Sequence, residues 1–298
     1  MSVNPNPAAT TADDDRIRRS ALAEGWRAIR RSRMMTAGLV IMTFVCLVAL
    51  LAPVLATHKP LALDPMNRIQ PPSRDHFFGT DDVGRDVYSR VIYGSRVSLA
   101  VGALVVVFSN LLGAAIGLLS GYYDKVDKIL MRVMDGLMAF PTTLLAIAMM
   151  AALGAKMSNV IIALSIVYVP RVARVVRGVV LTVREQAYVE AAVAIGAPSW
   201  KIMLFHILPN CLDPIIVQSS FIFAASVLSE AALSYLGVGI PPWIPSWGNI
   251  MTGGRLFMNT APWMTLFPGV AIIICVLGLN LFGDGLRDLV DPRLRGVI

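Results

Sequence analysis

Six long apolar stretches punctuate this chain, at roughly 35–56, 97–119, 136–154, 159–179, 214–236 and 264–282. Each approaches the ~20 residues that a helix needs to cross the hydrocarbon of a bilayer. The stretch at 159–179 is interrupted by Pro170, Arg171, Arg174 and Arg177. It still reads as a span, because its arginines gather at one end, where long side chains reach the interface. In the second stretch Gly113, Gly117 and Gly121 recur every four residues. Such a smooth face lets backbones approach where lipid supplies no hydrophobic drive between helices. The pattern predicts an all-α integral membrane protein with six transmembrane helices.

The polar stretches give an orientation. With the N-terminus in the cytoplasm, 18 of the 26 Lys and Arg fall on inner segments and 8 on outer ones. Inner loops carry the excess of Lys and Arg, so both termini are expected in the cytoplasm. The outer segment 57–96 is the most basic on its side, but Asp64, Asp75, Asp81, Asp82 and Asp86 nearly neutralise it. Its Gly79, Gly84 and Gly94 offer turns, and the aspartates can pair with Arg85, Arg90 and Arg96. Ahead of the first span, Pro, Ala, Thr and Asp give way to Arg16, Arg18 and Arg19, a composition that resists folding. Leu22, Trp26 and Ile29 then recur at helical spacing among arginines. This suits a short interfacial helix, or a solvated tail with chance spacing. The first apolar run starts too late and is too long for a signal-peptide core.

Composition agrees. The 298 residues are 56% hydrophobic and 15% charged, with mean hydropathy +0.67, where a soluble domain carries roughly 25% charged residues. A soluble fold could not hide so much apolar surface. The net charge of +7 is spread between apolar runs rather than gathered on one face, so it flanks a membrane and marks no nucleic-acid site. Cys46, Cys211 and Cys275 are too scattered for a disulfide framework or metal site. His58, His76 and His206 are dispersed with no metal-ligand spacing. No phosphate-binding G-x4-G-K-[ST] run, H-E-x-x-H or G-x-S-x-G occurs. The expectation is therefore no catalytic residue, no metal and no cofactor bound by this chain. Glu230 is the one clear acid at membrane depth. Such groups are costly there, so it is a candidate passage-lining group, a buried structural partner, or an acid close enough to the interface to be hydrated.

The inner loop at 178–213 is the most informative polar stretch. Arg184 to Ile195 is built of helix formers, Gly196 interrupts, and Pro198 can open a second short helix at its first turn. That helix runs towards His206 and is expected to stop at Pro209. Ala191, Ala192, Ile195, Trp200, Ile202 and Leu204 make the loop more apolar than free solvation explains, which marks a partner surface.

Here a family resemblance enters. Glu190-Ala191-Ala192, then Gly196, then Leu208-Pro209 resembles the EAA loop of ABC-importer permeases, whose coupling helix docks in a cleft of an ATPase subunit. The family usually has isoleucine three residues before the proline; His206 stands there, as in the peptide-permease branch. The runs from Phe78 to Leu99, from Ser229 to Gly237 and on through Pro245-Ser246-Trp247-Gly248, and from Gly283 to Asp288 resemble the C-type subunit of dipeptide, oligopeptide and nickel permeases. The resemblance implies a type I ABC-importer permease core at 96–287, with the coupling loop at 178–213. The first helix and outer loop would occupy 34–95, with cytoplasmic tails at 1–33 and 288–298. Glu190 would make polar contacts, Ala191 and Ala192 would allow close approach, and Gly196 would permit the turn. Implied partners are a homologous second permease, two ATPase subunits binding ATP and Mg, and an extracytoplasmic solute-binding protein. The setting would be the bacterial inner membrane. Dipeptides or oligopeptides are the expected substrates, with glutathione or nickel as alternatives. A self-sufficient secondary transporter is the competing class, with ion sites near the midplane; an intramembrane enzyme would need a catalytic pair at membrane depth, and none is seen.

Overall fold

The computed structural model describes residues 32–290. The basic stretch around Trp26 and the Asp291-Pro292 ending lie outside the described residues. Those described are helical throughout their regular parts, and the only β pairing among them is an isolated bridge between Thr80 and Asp86. In chain order the helices are α1 (Arg33–Leu50), α2 (Ala52–Leu55), α3 (Val87–Tyr122), α4 (Asp124–Met138), α5 (Thr142–Leu153) and α6 (Met157–Val183). They continue with α7 (Ala187–Ala194), α8 (Ser199–Lys201), α9 (Leu208–Tyr235), α10 (Trp247–Gly254) and α11 (Trp263–Val290).

Five of the six expected spans are single long helices. The third is not. The stretch read at 136–154 falls across α4 and α5, which meet at 93°. Pro141 adopts an extended backbone at the break (φ −54°, ψ 131°). A proline ring cannot continue the preceding helix without clashing with a carbonyl one turn back. The 12 residues of α5 reach about 18 Å at 1.5 Å per residue, short of the ~30 Å hydrocarbon. The polar part, α4, lays its charges along one side and packs on α6.

Helix α6 explains why its stretch can carry a proline and three arginines. In its most apolar 18-residue window, 67% of the residues are buried inside the chain, the largest share of any span. A helix shielded from lipid by its neighbours has no need to be apolar all round. It runs unbroken through Pro170.

The glycine face of α3 packs where the spacing implied. A Cβ at Gly113 would lie 2.5 Å from Val172 Cβ, at Gly117 2.7 Å from Val176 Cβ, and at Gly121 2.5 Å from Val180 Cβ. Three valines one turn apart on α6 thus fill the groove that three missing side chains leave. The same device seats α1 on α11, with Gly38 against the Phe282 backbone and Gly278 against Ile41.

The 57–86 segment is ordered by Asp81. Its carboxylate accepts the amides of Val83 and Arg85 at 3.0 and 2.8 Å, Arg85 Nε at 2.6 Å, and the buried Arg90 guanidinium. Gly79 and Gly84 make the turns at φ +73° and +81°. Gly94 instead lies within α3, against Trp247. Phe78 stacks on Phe267 at 3.9 Å and Trp263 Nε1 donates to Thr80 O at 3.1 Å, tying the segment to α11.

Candidate functional site

The loop after α6 is built from α7, a glycine turn, and the extension of α9. Gly196 has φ +81°, a conformation that costs a residue with a Cβ roughly 1–2 kcal/mol. The Gly196 amide donates to Val193 O at 2.9 Å, and the Ala197 amide to Ala192 O at 3.0 Å. These are the two bonds of a Schellman cap, which satisfies the last carbonyls of α7 and reverses the chain. No atom lies within 4 Å of a Cβ built at Gly196. Backbone sign, not crowding, selects glycine there.

Beyond the turn, two expectations are corrected. Pro198 is the residue before α8 rather than its first one. Pro209 does not stop the second helix: Ser199 to Tyr235 runs as one helical rod of 37 residues. A six-residue π segment, Ile202–Ile207, precedes the proline, and the Leu208 amide donates to Met203 O. The widened turn gives the ring of Pro209 room against the carbonyls behind it, a common role of π-bulges. Asn210 Nδ2 reaches back to His206 O at 2.7 Å and to the Tyr188 hydroxyl at 3.2 Å. The loop is therefore welded at two places, to α7 and to the rod.

Its two faces differ. Val189, Ala192, Ile202 and Ile207 are buried in the main core with Val183 and Cys211. Glu190, Ala191, Gly196 and Pro209 are exposed, and Leu208 is half-buried. Around them stand Ile195 at 85% exposure, Phe205 at 67%, Val193 at 55% and Trp200 at 53%. Trp200 and Phe205 meet edge-on at 6.4 Å, and the Lys201 ammonium sits 5.6 Å over the indole. Of the six apolar residues singled out in sequence, Ala192 and Ile202 turn inward and anchor the knob, while the other four stay outside. An exposed apolar strip on a rigid base makes a candidate contact surface.

Sequence reasoning missed what braces this loop. Arg184, just before α7, pairs with Asp124 at 3.0 Å and donates to Gly121 O at 3.1 Å. Arg177 grips both oxygens of Asp127, at 2.5 and 2.6 Å, and Arg174 meets Asp135 at 2.7 Å. Two arginines of α6, with Arg184 at its C-cap, and three aspartates on α4 form a ladder beside the knob. The signal was legible as helical spacing of Asp124, Asp127 and Asp135, but their partners lie far along the chain.

Glu230 does not open to any passage in this chain: it has no exposed surface. Its Oε1 accepts the hydroxyls of Ser234 and Ser246, each at 2.9 Å, and its Oε2 accepts Ser98 at 3.1 Å. Each serine oxygen in turn accepts a backbone amide: Ile240 on Ser234 at 3.2 Å, Asn249 on Ser246 at 3.2 Å, and Trp247 on Ser98 at 3.4 Å. Glu230 is thus the hub that orients α3, α9 and the segment leading into α10. It is a structural partner, as a buried acid must be to avoid the cost of an unsatisfied polar group.

The sequence finds its counterparts among known proteins. Residues 98–296 match the family of the binding-protein-dependent transport system inner membrane component, and residues 20–72 match the N-terminal transmembrane domain of oligopeptide transport permease C. A Brucella suis protein carrying the name of a peptide transport system permease is 51% identical over 269 residues, covering 90% of this chain and 91% of that one. The dipeptide transport system permease protein DppC of Alkalihalophilus pseudofirmus is 41% identical over 294 residues, with 98% and 97% coverage. The glutathione transport system permease protein GsiD of Pectobacterium atrosepticum is 38% identical over 283 residues, with 94% of each covered. With this match running from the second span to the far end of the last, the chain belongs to the family of binding-protein-dependent transport inner membrane components, as a multi-pass permease.

Proposed function

We propose that this chain is one pore-forming subunit of an ATP-driven importer for dipeptides or oligopeptides. Its α7–α8 knob is the handle on which an ATPase subunit pulls. The observation that carries this reading is that exposed Trp200 and Phe205 stand on a rod that continues without a break into the α9 span, with exposed Ile195 beside them across the glycine turn. A force on the knob is delivered directly to a membrane helix. Glu190 supplies polar contact at the knob, Ala191 close approach, and Gly196 the turn. Leu208 and Pro209 mark where the knob joins the rod. ATP and Mg belong to two partner ATPases, and a homologous second permease completes the passage. A solute-binding protein delivers substrate on the opposite face, and both termini share the ATPase side. The 96–287 core, with α1 and the outer segment as a lateral addition, is the moving unit. Coupling requires the ATPase to bind the knob differently in the two access states. Peptide as cargo rests on the names of the relatives. Glutathione, itself a tripeptide, is the second reading, favoured by the glutathione permease among them.

The test replaces Ile195 and Phe205 together by Asp. Membrane insertion should survive, while co-purification with the ATPase and uptake of labelled dipeptide both fall to background. Wild-type recovery of ATPase with the variant would remove the proposed docking surface. Uptake of glutathione rather than dipeptides by the unmodified transporter would move the cargo to the second reading.

A further inference from the structure

The chain folds two of its three histidines onto one carboxylate, although the sequence placed them at no ligand spacing. His58 follows α2, His76 lies in the outer segment, and Asp86 caps α3. His76 Nδ1 is 2.9 Å from Asp86 Oδ1, and His58 Nδ1 is 3.9 Å from Asp86 Oδ2. All the candidate ligand atoms lie within 4.8 Å of one another, and the two imidazole centroids are 4.8 Å apart. The Asp86 side chain is 1% exposed, His76 16% and His58 43%. A dry carboxylate thus forms the floor of the site, and a half-open imidazole forms its mouth.

A single hydrogen bond from His76 to Asp86 accounts for one ring. A second ring, from a different segment, brings its Nδ1 to 3.9 Å from the other oxygen of the same group while paired with Thr57 Oγ1. The surroundings hold that second ring in place. Ser89 Oγ accepts the His58 amide at 3.0 Å, and Thr57 Oγ1 lies 3.0 Å from His58 Nδ1. The Ser89 amide in turn donates to Asp86 Oδ2 at 2.8 Å. First-row ions hold nitrogen and oxygen donors at about 2.0–2.2 Å, which sets neighbouring donors a little over 3 Å apart. The observed separations straddle that distance, so rotation of two rings closes the shell without moving the backbone. Neutral imidazole and carboxylate form a donor set suited to zinc and its neighbours, and two His with one carboxylate leave positions open.

We propose that His58, His76 and Asp86 bind one divalent transition-metal ion of the zinc class, with the remaining coordination positions open to water on the His58 side. The ion would clip the α2 exit and the outer segment to the first turn of α3. Metal takes imidazole nitrogen and carboxylate only in their deprotonated forms, so binding weakens as pH falls. The site stands apart from the knob, and its test does not depend on transport.

Full-length chain in nanodiscs, purified through a histidine-free tag and stripped with EDTA, is titrated with Zn2+ against a chromophoric chelator. One equivalent per chain is expected. His58→Ala, a change at the exposed mouth that keeps the His76–Asp86 bond, should weaken it by about tenfold or more, as loss of supporting partners alone costs 10–100-fold. His206→Ala should bind as wild type does. X-ray absorption of the loaded chain should show imidazole nitrogen in the first shell. The absence of a stoichiometric equivalent, or equal affinity in His58→Ala, overturns the site and leaves an ordinary His76–Asp86 hydrogen bond.

Discussion

Removing the acceptor at Glu230 offers the sharpest test of how the α9–α10 end of the bundle is held. Both carboxyl oxygens accept, which forces the hydroxyl protons of Ser98, Ser234 and Ser246 inward. Their lone pairs are then free for the amides of Trp247, Ile240 and Asn249. Glu230→Gln keeps the shape but turns one acceptor into a donor. One serine, Ser98 in the simplest arrangement, must reverse or go unsatisfied, which costs about 1–3 kcal/mol for a buried polar group. Glu230→Ala removes all three acceptors and leaves a void, so its cost should exceed that of Gln and approach the ~4–5 kcal/mol that marks exceptional single substitutions. Because 1.4 kcal/mol is tenfold in an equilibrium, local opening of 236–249 should rise about ten- to hundredfold in the Gln variant, and further in Ala. Hydrogen exchange at the Ile240, Trp247 and Asn249 amides, read in detergent by mass spectrometry, reports that opening directly. Unchanged exchange in Glu230→Ala, or greater exchange in Gln than in Ala, would refute the hub.

Two further outcomes follow from glycines that matter for opposite reasons. At Gly117 a Cβ would meet both Val176 Cβ and the Ala173 carbonyl at 2.7 Å, so Gly117→Leu should cost at least the ~1–3 kcal/mol of an overpacked core. Its detergent melting temperature should drop, whereas Gly178→Leu, with nothing within 4 Å, should melt like wild type; equal melting of the two variants would discount the α3–α6 seam. Gly196→Val should leave insertion intact but impair ATP-driven uptake, because its φ of +81° disfavours a β-branched residue, while Gly196→Asn should keep more activity, since Asn tolerates that region. Normal uptake by the Val variant would detach the turn from coupling.

The existence of the spans, the glycine seam on α3 and the helix–glycine–helix knob were all legible along the chain. Each rests on a local rule: length and hydropathy for a span, a four-residue repeat for a helix face, and a positive-φ residue for a cap. The third span is a bent pair rather than a single helix, a difference hidden because hydropathy averages over a break. Pro141 turns one apparent segment into the end of α4 and α5, which meet at 93°. Pro209 was misread because a proline stops a helix only where the turn cannot widen, and the π segment before it gives that room. What only the tertiary structure decided was who meets whom. Glu230 with three serines, Arg177 with Asp127, and two histidines with Asp86 are pairings between segments distant in sequence. A desolvated polar group takes whichever partner the packing of whole helices brings within about 3 Å. Periodicity states which face of a helix turns inward, but the partner across that face depends on the crossing of helices, which no single stretch encodes.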